Sequence, residues 1–127
     1  MTHGEIWLID FGEPVGSLPS KVRPAVIMQN DLLGIKDLNT ALVIPFTSNL
    51  DRADYEPNIL FKKEETGLSK DSVSVIHLFG AVNKFCFDRK VGKLSEENYK
   101  KLVEAVLKLI SDKEFRFWDC QCNFLKQ

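Results

Sequence analysis

Arg23-Pro24-Ala25-Val26-Ile27-Met28-Gln29 is the run on which the fold turns. Apolar and β-branched residues follow a proline in it. The segment is therefore a strand that begins at Pro24, where a missing N–H costs no ladder bond. On its N-terminal side, Gly12 to Ser20 holds two glycines and two prolines, which no regular element accommodates, so this is a long loop. Before that loop, Glu5 to Phe11 is aromatic and β-branched and reads as a first strand. On the other side, Asn30 to Asn39 is a polar connection with room for one helical turn, although Gly34 weakens it. Ala41 to Thr47 is a third strand, in which Pro45 points to a sheet edge or a bulge. Short strands follow at Asn58–Phe61, Val73–Phe79 and Lys90–Leu94.

A single helix closes this series. Ser95 can cap it, Glu96 and Glu97 lie in the first turn where the helix dipole favours anions, and Lys108 and Lys113 lie toward the other end. Tyr99, Leu102, Val103, Val106, Leu107 and Ile110 recur at helical spacing and make one apolar stripe for packing on the sheet. Short strands, long polar loops and one terminal helix predict a mainly β, α+β domain: a small antiparallel barrel with a packed C-terminal helix. The aromatic segment after it, with Phe115, Phe117, Trp118 and Phe124, is expected to dock on its own domain or on a partner.

At 127 residues the chain has the length of one domain. Its 44% hydrophobic and 28% charged residues with net charge -1 exclude disorder as the main state. No run approaches the roughly 20 apolar residues of a membrane span, and the N-terminus lacks the pattern of a secretory signal, so a cytoplasmic protein is expected. Three cysteines do not form a disulfide framework, and Cys120 and Cys122 lack a second ligand pair for zinc, so no metal and no cofactor are expected. A near-neutral chain binds nucleic acid only through a local patch. Lys21 with Arg23 is one basic cluster; Lys84, Arg89, Lys90 and Lys93, diluted by Asp88, is another. On charge alone both are solvated faces.

There are two histidines, His3 near the terminus and His77 in a β-like run, which leaves little for a paired-imidazole mechanism. No phosphate-binding glycine loop, nucleophile elbow or metalloprotease motif is present. What remains is a convergence. The Gly/Pro loop delivers Gly16, Ser17, Lys21 and Arg23 to the start of the second strand, and the third ends in Thr47-Ser48. Pairing of those strands brings the ends together, and a guanidinium beside hydroxyls can hold a phosphate.

The ordered set of short motifs resembles the MazF/PemK toxin family. It comprises Gly4-Glu5-Ile6-Trp7, Pro14-Val15-Gly16-Ser17, Val22-Arg23-Pro24-Ala25-Val26-Ile27, Val43-Ile44-Pro45-Phe46-Thr47-Ser48, Gly67-Leu68, Asp71-Ser72-Val73, Val82-Asn83-Lys84 and Val91-Gly92-Lys93-Leu94-Ser95. Two departures stand out: Leu18 where an acidic residue often follows Gly-Ser, and Leu78-Phe79-Gly80-Ala81 where a Gln-Ile-Arg-Thr-like run is common. The resemblance implies an SH3-like, PemK/CcdB-like barrel over residues 1–111, with 112–127 as an extension. It implies a cytoplasmic homodimer, a cognate antitoxin with an acidic tail, and metal-independent endonucleolytic cleavage of single-stranded RNA to 2′,3′-cyclic phosphate ends. Arg23 and Thr47 fall on the family's cleavage positions, and Ser17 on the loop near the substrate. Gly16, Ser17, Lys21, Ser48 and Lys84 are the expected RNA-binding residues. The alternative on the same fold is a CcdB-like toxin without nuclease activity that acts on DNA gyrase or another protein.

Overall fold

The computed structural model describes residues 1–19, 21–29 and 37–111. The connection 30–36, the aromatic segment 112–127 and its Cys120 and Cys122 lie outside the described residues. Seven strands form one antiparallel sheet: β1 (Glu5–Asp10), β2 (Val22–Ile27), β3 (Thr40–Thr47), β4 (Ile59–Phe61), β5 (Ser72–Ser74), β6 (Gly80–Asn83) and β7 (Phe87–Lys93). Two helices, α1 (Lys63–Thr66) and α2 (Glu96–Ile110), complete it.

The long central strand β3 organises the molecule. Its first half, Thr40–Val43, pairs β6 on one edge, and its middle, Val43–Pro45, pairs β2 on the other, with Ala25 opposite Pro45 and Ile27 opposite Val43. Its last residues, Phe46 and Thr47, pair β5 instead. Pro45 is therefore not at a sheet edge. It is buried in mid-sheet, where β3 passes from one set of partners to the next, and its carbonyl accepts from Val75 N at 3.0 Å. The proline is tolerated because its missing donor falls at that change of partner.

The expected strand Val73–Phe79 ends early, at Ser74. Asn58 Oδ1 accepts from Ile76 N at 3.0 Å and fixes a single 3-10 turn, Ile76–Leu78, which carries His77 on the surface. Side chains that alternate along the strands divide into two apolar clusters. The larger one joins Ile6, Val26, Ile44, Phe46, Phe61 and Ile76 to Leu102 and Ala105 of α2, with Phe46 and Phe61 edge to face at 6.3 Å. The smaller one is Ile9, Ala25, Ile27 and Val43.

The helix begins as expected: Ser95 Oγ accepts from Asn98 N at 3.1 Å. Asn98 Nδ2 donates to Glu65 Oε2 at 2.9 Å, and Tyr99 Oη donates to the Met28 carbonyl at 3.0 Å, so the first turn is tied to both α1 and the end of β2. His3 is placed by the same turn, bonded to Glu96 and tilted against Tyr99. Of the expected stripe, Leu102 is fully buried, whereas Ile110, the last helical residue, is exposed.

The sheet is not a closed barrel. Its hydrogen-bonded path runs β4-β5-β3-β2-β1-β7 and stops at both ends. The gap is spanned by a close backbone approach. Gly67 ends α1 at φ 82° and lies against Val91 and Gly92 of β7, and a Cβ on Gly92 would collide with the Thr66 carbonyl oxygen. At the start of β1, Glu5 accepts from Trp7 Nε1, Thr2 N and Thr2 Oγ1 and pairs with Lys90 at 3.4 Å. Burial pushes its carboxyl up, but those hydrogen bonds and the N-terminal ammonium outweigh it and bring the pKa down to about 2.

Candidate active site

The ladder between β2 and β3 ends at Ala25 and Pro45. Beyond it, Val22, Arg23 and Pro24 stay paired with β1, while Phe46 and Thr47 follow β5. The two strands part, and a cleft of about 680 Å³ opens between them. Extending the β2–β3 register by two residues sets Arg23 opposite Thr47, and both line the cleft. The far wall is the α1–β5 connection, Gly67 to Lys70, together with Ser72; Leu8 of β1 and Arg89 and Val91 of β7 complete the lining.

The chemistry of this lining is one-sided. Among the described residues it carries three cations, Arg23, Lys70 and Arg89, and four hydroxyls, Thr47, Ser48, Ser69 and Ser72, with no carboxylate and no imidazole. A chain of net charge -1 thus concentrates positive potential in one concavity. Thr47 Oγ1 accepts from Asn49 N at 3.2 Å. That bond fixes the oxygen and leaves the hydroxyl hydrogen to donate toward a bound anion.

The other expected residues are distributed around this centre. Ser48 lines the cleft beside Thr47. Gly16, Ser17 and Lys21 do not line it; they belong to the loop that leads into Val22 and Arg23. The base of that loop is closed by Lys21 N to the Gly12 carbonyl at 2.7 Å and Phe11 N to the Lys21 carbonyl at 2.8 Å, and Ser17 is exposed in a turn marked by Leu18 N to the Val15 carbonyl. Lys84 lies elsewhere. Its backbone N–H donates to the Asn39 carbonyl at the opposite end of β3 from Thr47, roughly 25 Å away at about 3.3 Å per residue. Leu78–Ala81 also lies outside the cleft lining, with Gly80 and Ala81 paired to Val43 and Leu42. His77 is not in the lining either.

Lys70, Ser69 and Ser72 did not emerge as candidates from the sequence. Their one signal there was position, between Gly67-Leu68 and Val73 in the motif series. Arg89 was visible only as one member of a basic cluster. Among the described residues, no three His, Cys, Asp or Glu side chains gather in a way that could hold a metal ion, and no helix is long and apolar enough to cross a membrane.

A family model described as PemK-like, MazF-like toxin of type II toxin-antitoxin system matches residues 2–110. The chain belongs to this family. Among its relatives, Endoribonuclease MazF of Staphylococcus saprophyticus is 29% identical over 106 residues, covering 84% of this chain and 88% of that protein. Among solved structures, the Mycobacterium tuberculosis toxin MazF-mt6 superposes with a TM-score of 0.70 at 18% identity, over 87% of this chain and 99% of the other. An endoribonuclease in complex with its cognate antitoxin, from a mycobacterial species, superposes with a TM-score of 0.67 at 13% identity, over 91% and 99%. At those identities the structural likeness concerns the fold. In this PemK/MazF-type fold, the parting of β2 and β3 puts Arg23 and Thr47 at the mouth of a cleft lined by cations and hydroxyls.

Proposed function

We propose that this member of the PemK/MazF family is the toxin of a toxin–antitoxin pair and acts as a metal-independent endoribonuclease on single-stranded RNA. The observation that carries the reading is that Arg23 and Thr47 line one cleft which, among the described residues, carries cations and no acids. RNA brings its own nucleophile. The 2′-oxygen attacks the adjacent phosphorus and loses its proton, the bond from phosphorus to the 5′-oxygen breaks, and that oxygen gains a proton. The products are a 2′,3′-cyclic phosphate and a 5′-hydroxyl. The protein has to hold the reacting atoms in line and stabilise charge on the phosphorane. Arg23 serves the second need with a fixed guanidinium, and Thr47 donates its hydroxyl hydrogen to a non-bridging oxygen. A guanidinium keeps its proton at neutral pH and cannot serve as the base, and among the described residues the cleft lining offers no carboxylate or imidazole for that role.

Ser48 adds a hydroxyl in the same cleft, and Gly16, Ser17 and Lys21 belong to the loop that leads into Arg23. Lys84 meets only an RNA long enough to run the length of β3. The chain works in the cytoplasm as a homodimer, which doubles a limited basic surface. Its cognate antitoxin blocks the cleft with an extended acidic segment, drawn by the same cations.

The test is direct. Purified protein is incubated with a long single-stranded RNA in EDTA, and the fragment ends are analysed. Fragments ending in 2′,3′-cyclic phosphate are expected. RNA left whole under these conditions, by protein that still poisons cells, would overturn the nuclease reading in favour of a target other than RNA.

A further inference from the structure

The ladder between β1 and β7 is interrupted twice. Ile9 lies opposite Phe87, Leu8 opposite Arg89, Trp7 opposite Lys90 and Ile6 opposite Gly92. Asp88 is therefore an extra residue between the first two pairs, and Val91 between the last two. Residues directly opposed in an antiparallel ladder share a face. Leu8 lines the cleft, and so does its partner Arg89. Had the ladder run straight on from Ile9–Phe87, Asp88 would stand opposite Leu8. A carboxylate would then occupy the wall, and Arg89 would fall opposite Trp7 on the other face. One inserted residue changes the cleft wall from an anion to a cation. Re-aiming a side chain next to a site is what bulges are used for.

Lys70 approaches the same cleft from the α1–β5 connection. The carboxylate beside it in sequence, Asp71, is engaged by Lys62 Nζ at 3.7 Å and by Lys63 N at 2.8 Å. Among the described residues, neither Lys70 nor Arg89 is ion-paired. Arg23 and Thr47 suffice for the phosphate under attack, so two further cations on separate elements exceed what that phosphate needs. We propose that Arg89 and Lys70 hold a second RNA phosphate, a neighbour of the one that is cut, and so set which nucleotide presents its 2′-oxygen in line. Arg89 grips it through the guanidinium fork and Lys70 as a point charge. They are positioning residues, away from the bonds that change, and their role rests on the RNA-cleavage reading above.

The experiment uses an RNA oligonucleotide carrying the sequence cut most readily in a long transcript, and versions of it with one flanking phosphate replaced by an uncharged methylphosphonate. The proteins are wild type, Arg89→Gln, Arg89→Lys and Lys70→Gln, all changed at exposed positions that the fold tolerates. Arg89→Gln is expected to raise KM by roughly tenfold to a hundredfold, the worth of one charge-assisted hydrogen bond, with kcat unchanged. Its binding should lose up to about 0.7 from the salt slope, the full value for one phosphate on a single strand being reached when Lys70→Gln is added. Arg89→Lys should recover part of the loss. On the substrate neutralised at the proposed neighbour, wild type and Arg89→Gln should become equal. If wild type cuts RNA while Arg89→Gln keeps its KM and salt slope, or loses kcat alone, the second-phosphate proposal is overturned and the nuclease reading stands. If wild type neither binds nor cuts RNA, the nuclease reading falls and the proposal falls with it.

Discussion

Arg23 and Thr47 line one cleft, each two positions past the last paired residues of β2 and β3, on strands that part at two prolines, Pro24 and Pro45. Arg23 is held by pairing with β1 and Thr47 by pairing with β5, so each can be removed without moving the other. Arg23→Ala should lower kcat by roughly two to three orders of magnitude, the effect of deleting one preorganised transition-state donor. Thr47→Val should also lower kcat, and Thr47→Ser should keep most of it. Single-turnover cleavage of a short RNA measures all three. Full activity in Arg23→Ala would remove Arg23 from the mechanism.

A lining without carboxylate or imidazole makes a prediction about pH. The cleavage rate of wild type should show no inflection in the ordinary range of a carboxylate or an imidazole, about pH 4 and 6.5. Profiles of kcat/KM from pH 3 to 8 test this. A clear inflection near either value would mean that a base from outside the lining takes part.

Glu5 gives a stability signature. Its folded pKa of about 2 lies below the ordinary 4.5, so the carboxylate contributes stability that is fully present above pH 4.5 and is lost as pH falls toward 2. The loss should be on the order of 1–2 kcal/mol after solvent screening. Urea unfolding at a series of pH values should show it in wild type, and Glu5→Gln should flatten the curve over that window. An unchanged slope in Glu5→Gln would assign the acid sensitivity to other groups.

Gly92 has no room for a side chain against the Thr66 carbonyl. Gly92→Ala should cost ~2–3 kcal/mol by forcing β7 and the end of α1 apart. Because Gly67, Leu68 and Val91 line the cleft, the same variant should lose cleavage activity beyond what its stability loss accounts for. Thermal melts paired with cleavage assays at a temperature where the variant is fully folded separate the two effects.

The parts of this molecule legible from sequence are those with a local cause. Pro24 before Ala25-Val26-Ile27 marks a strand start, and Ser95 with Glu96 and Glu97 marks a helix start; both elements lie where these residues place them. The meeting of Arg23 with Thr47 followed from supposing that adjacent strands pair. The rest depends on partners distant in sequence. Pro45 looked like an edge residue because nothing near it reveals that β3 changes partners there. His77 looked like a strand residue because the turn around it is fixed by Asn58, eighteen positions away. Arg89 gave no hint of a special role, since which of Asp88 and Arg89 faces the cleft is decided by a bulge in pairing with β1. Lys84 shares Arg89's stretch of sequence, yet the topology carries it to the opposite end of β3.

The unclosed seam between β4 and β7 separates two jobs that a complete barrel would fuse. The Gly67–Lys70 wall of the cleft is carried by a connection and has no ladder on its β7 side. In a ladder an inserted residue must be absorbed as a bulge or else shift every side chain after it to the other face. Here, residues can be added or exchanged between Leu68 and Asp71 without reregistering a strand, while Arg23 and Thr47 stay anchored in the sheet. The Arg23 and Thr47 positions are held rigid, and the wall proposed to meet the flanking nucleotides is left free to be rewritten.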